Sequence, residues 1–252
     1  MLSRLPVPGA PPARPPPPLL PHRPMGQLRV LVTGGGRGIG RAIALRFAKE
    51  GAKVCVASRT SAELDAVVTE IEAAGGEGLA AQMNVRDFGS VEAAVYRAVN
   101  FTTQVLDVLV NCAGSFDIVP FDKMQPDVWS RMIETNLTGA FSTTLEAIDA
   151  LEDGNSPHIF NIASVAAREG FPGNTAYCAS KYGLRGFSDA LRHDLKDSGI
   201  RVTTVYPGQT ATEIWDRVEG DWDKSQMLDP AVIADKVFEA YGTDVADLDV
   251  TG

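Results

Sequence analysis

The sequence predicts a single α/β domain in which helices cover both faces of a parallel, doubly wound sheet. Short segments that are apolar nearly throughout, such as residues 29–33, are typical of strands buried on both faces. These segments alternate with helical stretches of ten or more residues, which favours parallel strands joined by crossover helices. No linker divides residues 28–252, so we expect one domain.

The predicted elements follow one another without long gaps. The strands are predicted at residues 29–33, 53–58, 78–83, 105–111, 158–164 and 201–206. The helices are predicted at residues 38–50, 62–74, 88–100, 127–151, 175–197 and 230–241. Pro126 suits the first turn of the fourth helix, and Gly199 ends the fifth. Residues 246–252 are expected to start a seventh strand, followed by a short tail or a truncated C-terminus.

Residues 1–27 are predicted to be a disordered extension outside the fold. They hold ten of the 16 prolines, with an unbroken run at residues 15–18 that favours polyproline II. The segment is basic and lacks acids, so one interpretation is a targeting peptide. The other, which we favour, is that translation starts at Met25.

Charge and cysteine usage exclude several classes of protein. Beyond residue 27 the chain carries 20 basic and 32 acidic side chains, which argues against a nucleic-acid partner. No apolar run approaches the roughly 20 residues needed to span a bilayer. Cys55, Cys112 and Cys178 are widely spaced and form no metal-binding pattern, so we expect no metal and a reducing, cytoplasmic location.

A glycine-rich loop lies between the first strand and the first helix. Gly34, Gly38 and Gly40 follow the spacing G-x-x-x-G-x-G. Glycines let the backbone approach a ligand closely, and the free amides and dipole of a helix start suit a pyrophosphate. The loop therefore predicts a dinucleotide site.

The end of the second strand predicts which dinucleotide binds. An acid there would accept a hydrogen bond from the adenosine ribose and repel a 2′-phosphate. Here the strand ends at Ser58 and Arg59, and Arg37 in the glycine loop can join Arg59 on a phosphate. This pattern favours NADP(H) over NAD(H), unless both arginines are solvated surface residues.

Tyr177 and Lys181 are four residues apart in a predicted helix, so they share one face. The ordinary pKa of a tyrosine is about 10, and a nearby positive charge lowers it. The pair can therefore supply a proton to a carbonyl oxygen. The alternative is a chance pairing of a half-buried tyrosine with a solvated lysine.

Several motifs in order give the chain a resemblance to the short-chain dehydrogenase/reductase family over about residues 28–240, with 3-oxoacyl-thioester reductases among the similar members. The doubly wound sheet is then of the Rossmann type. The motifs are the glycine loop, Asn111-Cys112-Ala113-Gly114, Asn136, Ser164, Tyr177-x-x-x-Lys181 and Pro207-Gly208.

The resemblance implies roles for four catalytic residues. Tyr177 would be the general acid in reduction and the base in oxidation, and Lys181 would lower its pKa and bind the nicotinamide ribose. Ser164 would hydrogen-bond the substrate carbonyl. Asn136 would order a helix bend and a water that links Lys181 to solvent.

The resemblance also implies a set of cofactor-binding residues. Asn84 and Val85 stand where the family often has an acid near the adenine, Thr212 fits a contact to the nicotinamide amide, and Asn111 is expected mainly to brace the sheet. The full set is Gly34, Arg37, Gly38, Ile39, Gly40, Ser58, Arg59, Asn84, Val85, Asn111, Ala113, Gly114, Tyr177, Lys181, Pro207, Gly208 and Thr212.

The predicted function is hydride transfer between NADP(H) and a carbonyl/alcohol pair in a homodimer or homotetramer. A 3-oxoacyl thioester, a small ketone, a sugar and a steroid-like alcohol all remain open as substrates. A substrate loop is expected at residues 209–228, where Trp215 and Trp222 either close over an apolar substrate or serve packing and subunit contacts. The alternative from another class is a non-catalytic dinucleotide sensor or binding protein on the same fold.

Overall fold

Seven parallel strands form the sheet in the computed structural model, which describes residues 28–251. The strands are β1 (Arg29–Thr33), β2 (Lys53–Ser58), β3 (Glu77–Gln82), β4 (Val108–Asn111), β5 (His158–Ile162), β6 (Arg201–Pro207) and β7 (Asp247–Val250). They lie in the order β3-β2-β1-β4-β5-β6-β7, and every neighbouring pair is parallel. The doubly wound sheet and its seventh strand are thereby confirmed. The extension predicted for residues 1–27 lies outside the described residues.

Within residues 28–251, seven α-helices flank the sheet. They are α1 (Gly38–Ala48), α2 (Ser61–Ala73), α3 (Phe88–Phe101), α4 (Pro126–Ile133), α5 (Gly139–Glu152), α6 (Thr175–Asp194) and α7 (Pro230–Ala240). Pro126 occupies the first turn of α4, as predicted. No helix in residues 28–251 is long and apolar enough to cross a membrane.

Alternate residues of each strand pack on opposite layers of helices, which explains why the strands are apolar nearly throughout. Val30 and Val32 of β1 belong to the core shared with α1, α2 and α7, whereas Leu31 belongs to the core shared with α3 and α5. All three side chains are fully buried. A strand covered on both faces needs apolar side chains at odd and even positions alike.

The helical region predicted over residues 127–151 is helical throughout, but it is not one regular α-helix. A π-helical turn at Glu134–Thr138 separates α4 from α5. Hydrophobic periodicity could not reveal this turn, because π turns insert into helices with little change of residue type, and often at functional sites. The turn holds Asn136, which the resemblance had linked to a bend.

Two strands are shorter than predicted. β5 ends at Ile162, and Ser164 instead precedes a short 3-10 turn at Val165–Ala167. β4 begins at Val108, and the carboxylate of the preceding Asp107 accepts hydrogen bonds from the backbone amide and guanidinium of Arg29. Both changes affect the ends of elements only and leave the sheet order as expected.

Candidate active site

A cleft of about 420 Å³ opens at the carboxyl ends of the central strands. It lies where the strand order reverses, because β2 and β3 lie on one side of β1 and β4 to β7 lie on the other. This is the switch point at which doubly wound sheets bind their ligands. Twelve of the predicted cofactor residues line the cleft. They are Gly34, Arg37, Gly38, Ile39, Gly40, Ser58, Arg59, Asn84, Val85, Ala113, Gly114 and Thr212.

The glycine loop is shaped by close backbone contacts. Gly34 has a φ of +67°, and a Cβ there would lie 2.8 Å from Ala113 Cα. A Cβ on Gly40 would lie 2.3 Å from the carbonyl oxygen of Gly34. No other residue type fits at these two positions, so the loop can pass directly over the start of α1.

The start of α1 fits an anionic group. The Arg37 side chain at its N-terminal boundary makes no capping hydrogen bond, and the first turn contains no acid. The first amides of a helix lack intrahelical partners and carry the positive end of the dipole. These residues therefore fit the pyrophosphate of a dinucleotide.

Thr33 joins the glycine loop to the loop after β4. Its hydroxyl oxygen accepts hydrogen bonds from the backbone amides of Cys112 and Ala113, both at 3.0 Å. Thr33 is almost fully buried at the end of β1. The two loops that border the cleft are thus fixed to each other by one side chain.

The end of the cleft beside β2 contains one residue that sequence reasoning missed, Glu63. Ser58 Oγ is buried and has no hydrogen-bond partner within residues 28–251, and Arg59 is exposed beside it. Glu63, in the first turn of α2, also lines the cleft, with its carboxylate 4.0 Å from the guanidinium of Arg37. The residues at the strand end include no acid, but the turn into α2 brings Glu63 back to that end.

Tyr177 and Lys181 lie together on α6, as their spacing predicted. Lys181 Nζ lies 5.7 Å from the centroid of the Tyr177 ring and donates a hydrogen bond to the carbonyl oxygen of Ile162 at 2.8 Å. The Tyr177 hydroxyl lies near the side chain of Ser164, which acts to lower the pKa of the tyrosine. The helix and the end of β5 thereby bring a phenol, a hydroxyl and an ammonium into one site.

The pKa of Tyr177 moves opposite to the sequence expectation. Burial raises the pKa of Tyr177 to about 12, and the nearby Ser164 side chain opposes that rise. Burial also lowers the pKa of Lys181 to about 8. In the protein alone, the loss of hydration outweighs any help that the phenolate receives from the ammonium.

Asn136 connects three parts of the site from its position in the π turn. Its Oδ1 accepts from the Ser115 amide at 2.7 Å, and its Nδ2 donates to the Ser115 carbonyl and to Ser180 Oγ, both at 2.9 Å. Ser180 Oγ in turn donates to the carbonyl oxygen of Tyr177. Asn136 thus lies in the π turn, whereas its expected roles in ordering a bend and a water stay predictions.

Other predicted cofactor residues lie outside the lining of the cleft. Asn111 is buried in the sheet, where its amide donates to Asn161 and Thr144, in line with the expected bracing role. Pro207 ends β6, and Gly208 lies against Leu228 and residue 251. Tyr177 and Lys181 adjoin the cleft rather than line it.

Phe116 and the two loop tryptophans form an aromatic row beside Tyr177. The Phe116 ring lies edge-on to Tyr177 at a centroid distance of 4.6 Å and edge-on to Trp215 at 5.2 Å. The ring of Trp215 packs on that of Trp222, with 4.7 Å between the ring centroids. Phe116 was missed, although its position two residues after Gly114 could have indicated it. Both tryptophans thus pack within the chain, one of the two roles left open for them.

Charged residues near Phe116 were also missed. Asp117 and Arg131 line the cleft and form an ion pair at 2.6 Å. No group of three or more potential metal ligands occurs in the described part of the chain. All three cysteines are free thiols.

A glycine-rich loop and a helix start at the switch point of a doubly wound sheet define a dinucleotide-binding α/β protein. The family model described as short chain dehydrogenase matches residues 29–222. The chain belongs to the short-chain dehydrogenase/reductase family. It is accordingly an oxidoreductase that uses a nicotinamide dinucleotide, and the predicted family and fold class are confirmed.

Three similar proteins illustrate the range of the family. The chain is 38% identical to the 3-oxoacyl-[acyl-carrier-protein] reductase of Synechocystis, covering 76% of this chain and 77% of that protein. It is 36% identical to the acetoacetyl-CoA reductase of Cupriavidus necator, covering 78% and 80%. It is 32% identical to the sepiapterin reductase of Chlorobaculum tepidum, covering 84% and 89%.

A solved structure shares the fold. The alcohol dehydrogenase of the archaeon Thermococcus sibiricus, complexed with 5-hydroxy-NADP, superimposes with a TM-score of 0.81. The comparison covers 88% of this chain and 94% of that one at 23% sequence identity. At this identity the likeness concerns the fold alone.

Proposed function

We propose that this chain reduces a carbonyl group with NADPH, or oxidises the corresponding alcohol with NADP. One observation carries the proposal: the Tyr177 hydroxyl lies close enough to Ser164 for that side chain to lower the tyrosine pKa, and Tyr177 shares a helix face with the buried Lys181. A phenol, a hydroxyl and an ammonium beside a dinucleotide cleft are the groups needed to polarise a carbonyl and give it a proton. The nicotinamide supplies the hydride when it is bound.

The chain's own residues would act on the substrate oxygen. In reduction, the Ser164 hydroxyl donates a hydrogen bond to the carbonyl oxygen and stabilises the negative charge that develops there. The Tyr177 hydroxyl gives its proton to that oxygen and becomes a phenolate. The Lys181 ammonium favours this charged product, and Asn136 positions α6 through Ser180.

The preference for NADP(H) is supported at the adenosine end of the cleft. Arg59 and Arg37 both line the cleft, and the buried Ser58 hydroxyl has no partner within residues 28–251. Two guanidinium groups and a free hydroxyl match the oxygens of a 2′-phosphate.

The surroundings of Tyr177 favour an apolar substrate that is not attached to an acidic carrier. Phe116 and Trp215 give the site an aromatic wall. Residues 213–224, which flank it, carry five exposed acids and only two bases; the acids are Glu213, Asp216, Glu219, Asp221 and Asp223. Acidic carriers and CoA would meet like charge here. Among the substrates left open, this favours ketones and simple acyl thioesters over sugars.

The proposal includes a homodimer. α5 exposes Phe141 and Leu145, and α6 exposes Tyr182 nearby in the helix that carries Tyr177. Phe141 packs against Phe187 of α6 at a centroid distance of 6.4 Å, and exposed apolar side chains on these two helices suit a contact between copies of the chain. Light scattering on the purified protein tests this part. A cytoplasmic location stays a prediction.

The deciding experiment has two stages. The protein is titrated with NADPH and NADH, and the tighter cofactor is then used with matched 3-oxoacyl substrates: a ketone, an N-acetylcysteamine thioester and a CoA thioester. We expect tighter NADPH binding and the highest kcat/KM on the uncharged substrates. Cofactor binding without turnover on any carbonyl would favour a non-catalytic dinucleotide sensor instead.

A further inference from the structure

Three polar side chains meet around Gly36 at the adenosine end of the cleft. A Cβ on Gly36 would lie 3.0 Å from Ser58 Oγ and 3.2 Å from Glu63 Oε2. Arg37 Nη1 lies 4.0 Å from Glu63 Oε1, and each of these side chains is more than a third exposed. An acid thus shares the region with the residues proposed to bind a 2′-phosphate.

A purely structural role for Glu63 is disfavoured by the geometry of α2. Thr60-Ser61-Ala62-Glu63 has the sequence of a capping box, in which the acid would turn back to the start of its own helix. The Thr60 side chain makes no capping hydrogen bond, however. The Glu63 carboxylate faces Gly36 and Arg37 across the cleft, where it meets the ligand rather than its own helix.

We propose that Glu63 is a specificity-determining residue that opposes Arg59 and lowers the preference for NADP(H) over NAD(H). Its carboxylate repels a 2′-phosphate and competes with that phosphate for Arg37. The same carboxylate can accept a hydrogen bond from the 2′-hydroxyl of NAD(H). This inference rests on the placement of the adenosine ribose in the proposed function, but not on which cofactor is preferred.

The test replaces Glu63 by glutamine, which keeps the size of the side chain and removes its charge. Dissociation constants for NADPH and NADH are measured for the parent protein and for Glu63→Gln. We expect NADPH to bind about three- to thirtyfold more tightly to the variant, as expected for removal of one partly screened charge. NADH should bind equally or up to about threefold more weakly, and the gain for NADPH should shrink as salt rises.

Glu70→Gln is the matched control. Glu70 lies two turns further along α2, pairs with Arg41 at 2.5 Å and, unlike Glu63, does not line the cleft of about 420 Å³. Both variants lose one acid from one helix, so a general charge effect would change NADPH binding equally in the two. A gain confined to Glu63→Gln supports a local role.

Arg59→Ala separates this inference from the proposed function. If Arg59→Ala weakens NADPH much more than NADH while Glu63→Gln changes neither, the role of Glu63 is overturned and the cofactor proposal stands. If the parent protein prefers NADH, the cofactor proposal fails, yet Glu63→Gln must still shift the ratio toward NADPH. A loss of NADPH affinity in Glu63→Gln would also overturn the inference.

Discussion

The ammonium of Lys181 donates a hydrogen bond to the carbonyl oxygen of Ile162 at 2.8 Å. This bond fixes a side chain of α6 to the last residue of β5, so the position of the charge depends on the sheet rather than on the helix alone. Only 5% of Lys181 is exposed. Its charge is therefore little screened by water, which makes its protonation state a variable of the chemistry.

Turnover should fall as the pH rises through about 8. Burial lowers the pKa of Lys181 to about 8, whereas burial raises the pKa of Tyr177 to about 12. The ammonium therefore loses its proton first, while the phenol stays protonated. In Lys181→Arg the positive charge persists to high pH. We expect this variant to have a lower kcat, and its plot of kcat against pH should lack the decline near pH 8. A decline unchanged in that variant would assign it to another group.

Replacing Tyr177 by phenylalanine should abolish turnover and spare cofactor binding. The ring can still pack edge-on against Phe116, and only the hydroxyl that meets Ser164 is lost. We expect kcat for ketone reduction to fall by about a hundredfold to ten-thousandfold, with NADPH affinity within about twofold. Tyr182→Phe, which changes an exposed tyrosine beside Lys181, is the control and should keep its rate.

Asn136→Ala should lower both stability and turnover. The change leaves the backbone groups of Ser115 and the hydroxyl of Ser180 without their partner in a buried site. We expect a loss of about 2–4 kcal/mol in the free energy of unfolding, measured by urea titration. Asn100→Ala removes an exposed amide and should cost less than about 0.5 kcal/mol. Equal losses in the two variants would contradict the bridging role of Asn136.

His158 should make the fold sensitive to mild acid. It is fully buried, with Nε2 2.8 Å from Thr203 Oγ1. Burial and Arg201 lower its pKa to about 3, against the partial effect of Asp244. Between about pH 6.5 and 3 the unfolded chain binds a proton that the folded chain does not, so stability is full above 6.5 and falls by up to about 1.4 kcal/mol per pH unit below it.

Denaturant titrations between pH 7 and 5 check the His158 prediction. His158→Asn should be less stable at pH 7 and should show a shallower loss on acidification. His193 is exposed on α6, so His193→Asn should keep the parent slope. A slope that is the same in all three proteins would show that His158 does not control it.

The parts of the site that follow from local chain geometry could be predicted from the sequence. Gly34, Gly38 and Gly40 are needed wherever a strand turns at once into a helix beneath a close backbone. Tyr177 and Lys181 meet because helical periodicity brings them together. For these residues, the spacing along the chain is enough to predict which side chains lie close together.

The missed residues depend on how separate elements are placed. Glu63 reaches the cleft only because α2 returns over the end of β2, and Phe116 meets Trp215 only because the loops after β4 and β6 converge. The pKa of Tyr177 was misjudged for a related reason. The pairing with Lys181 could be read from spacing, but the depth of burial that raises the pKa could not.

The pairing of Thr33 with two amides of the loop after β4 has a kinetic consequence. Thr33 holds Cys112 and Ala113, and Gly34 packs on Ala113. The two loops that border the cleft are therefore already in place before the dinucleotide binds. The loops then need little further ordering when the dinucleotide binds. Stopped-flow association should therefore be a single phase with a rate proportional to dinucleotide concentration, without a slow isomerisation step.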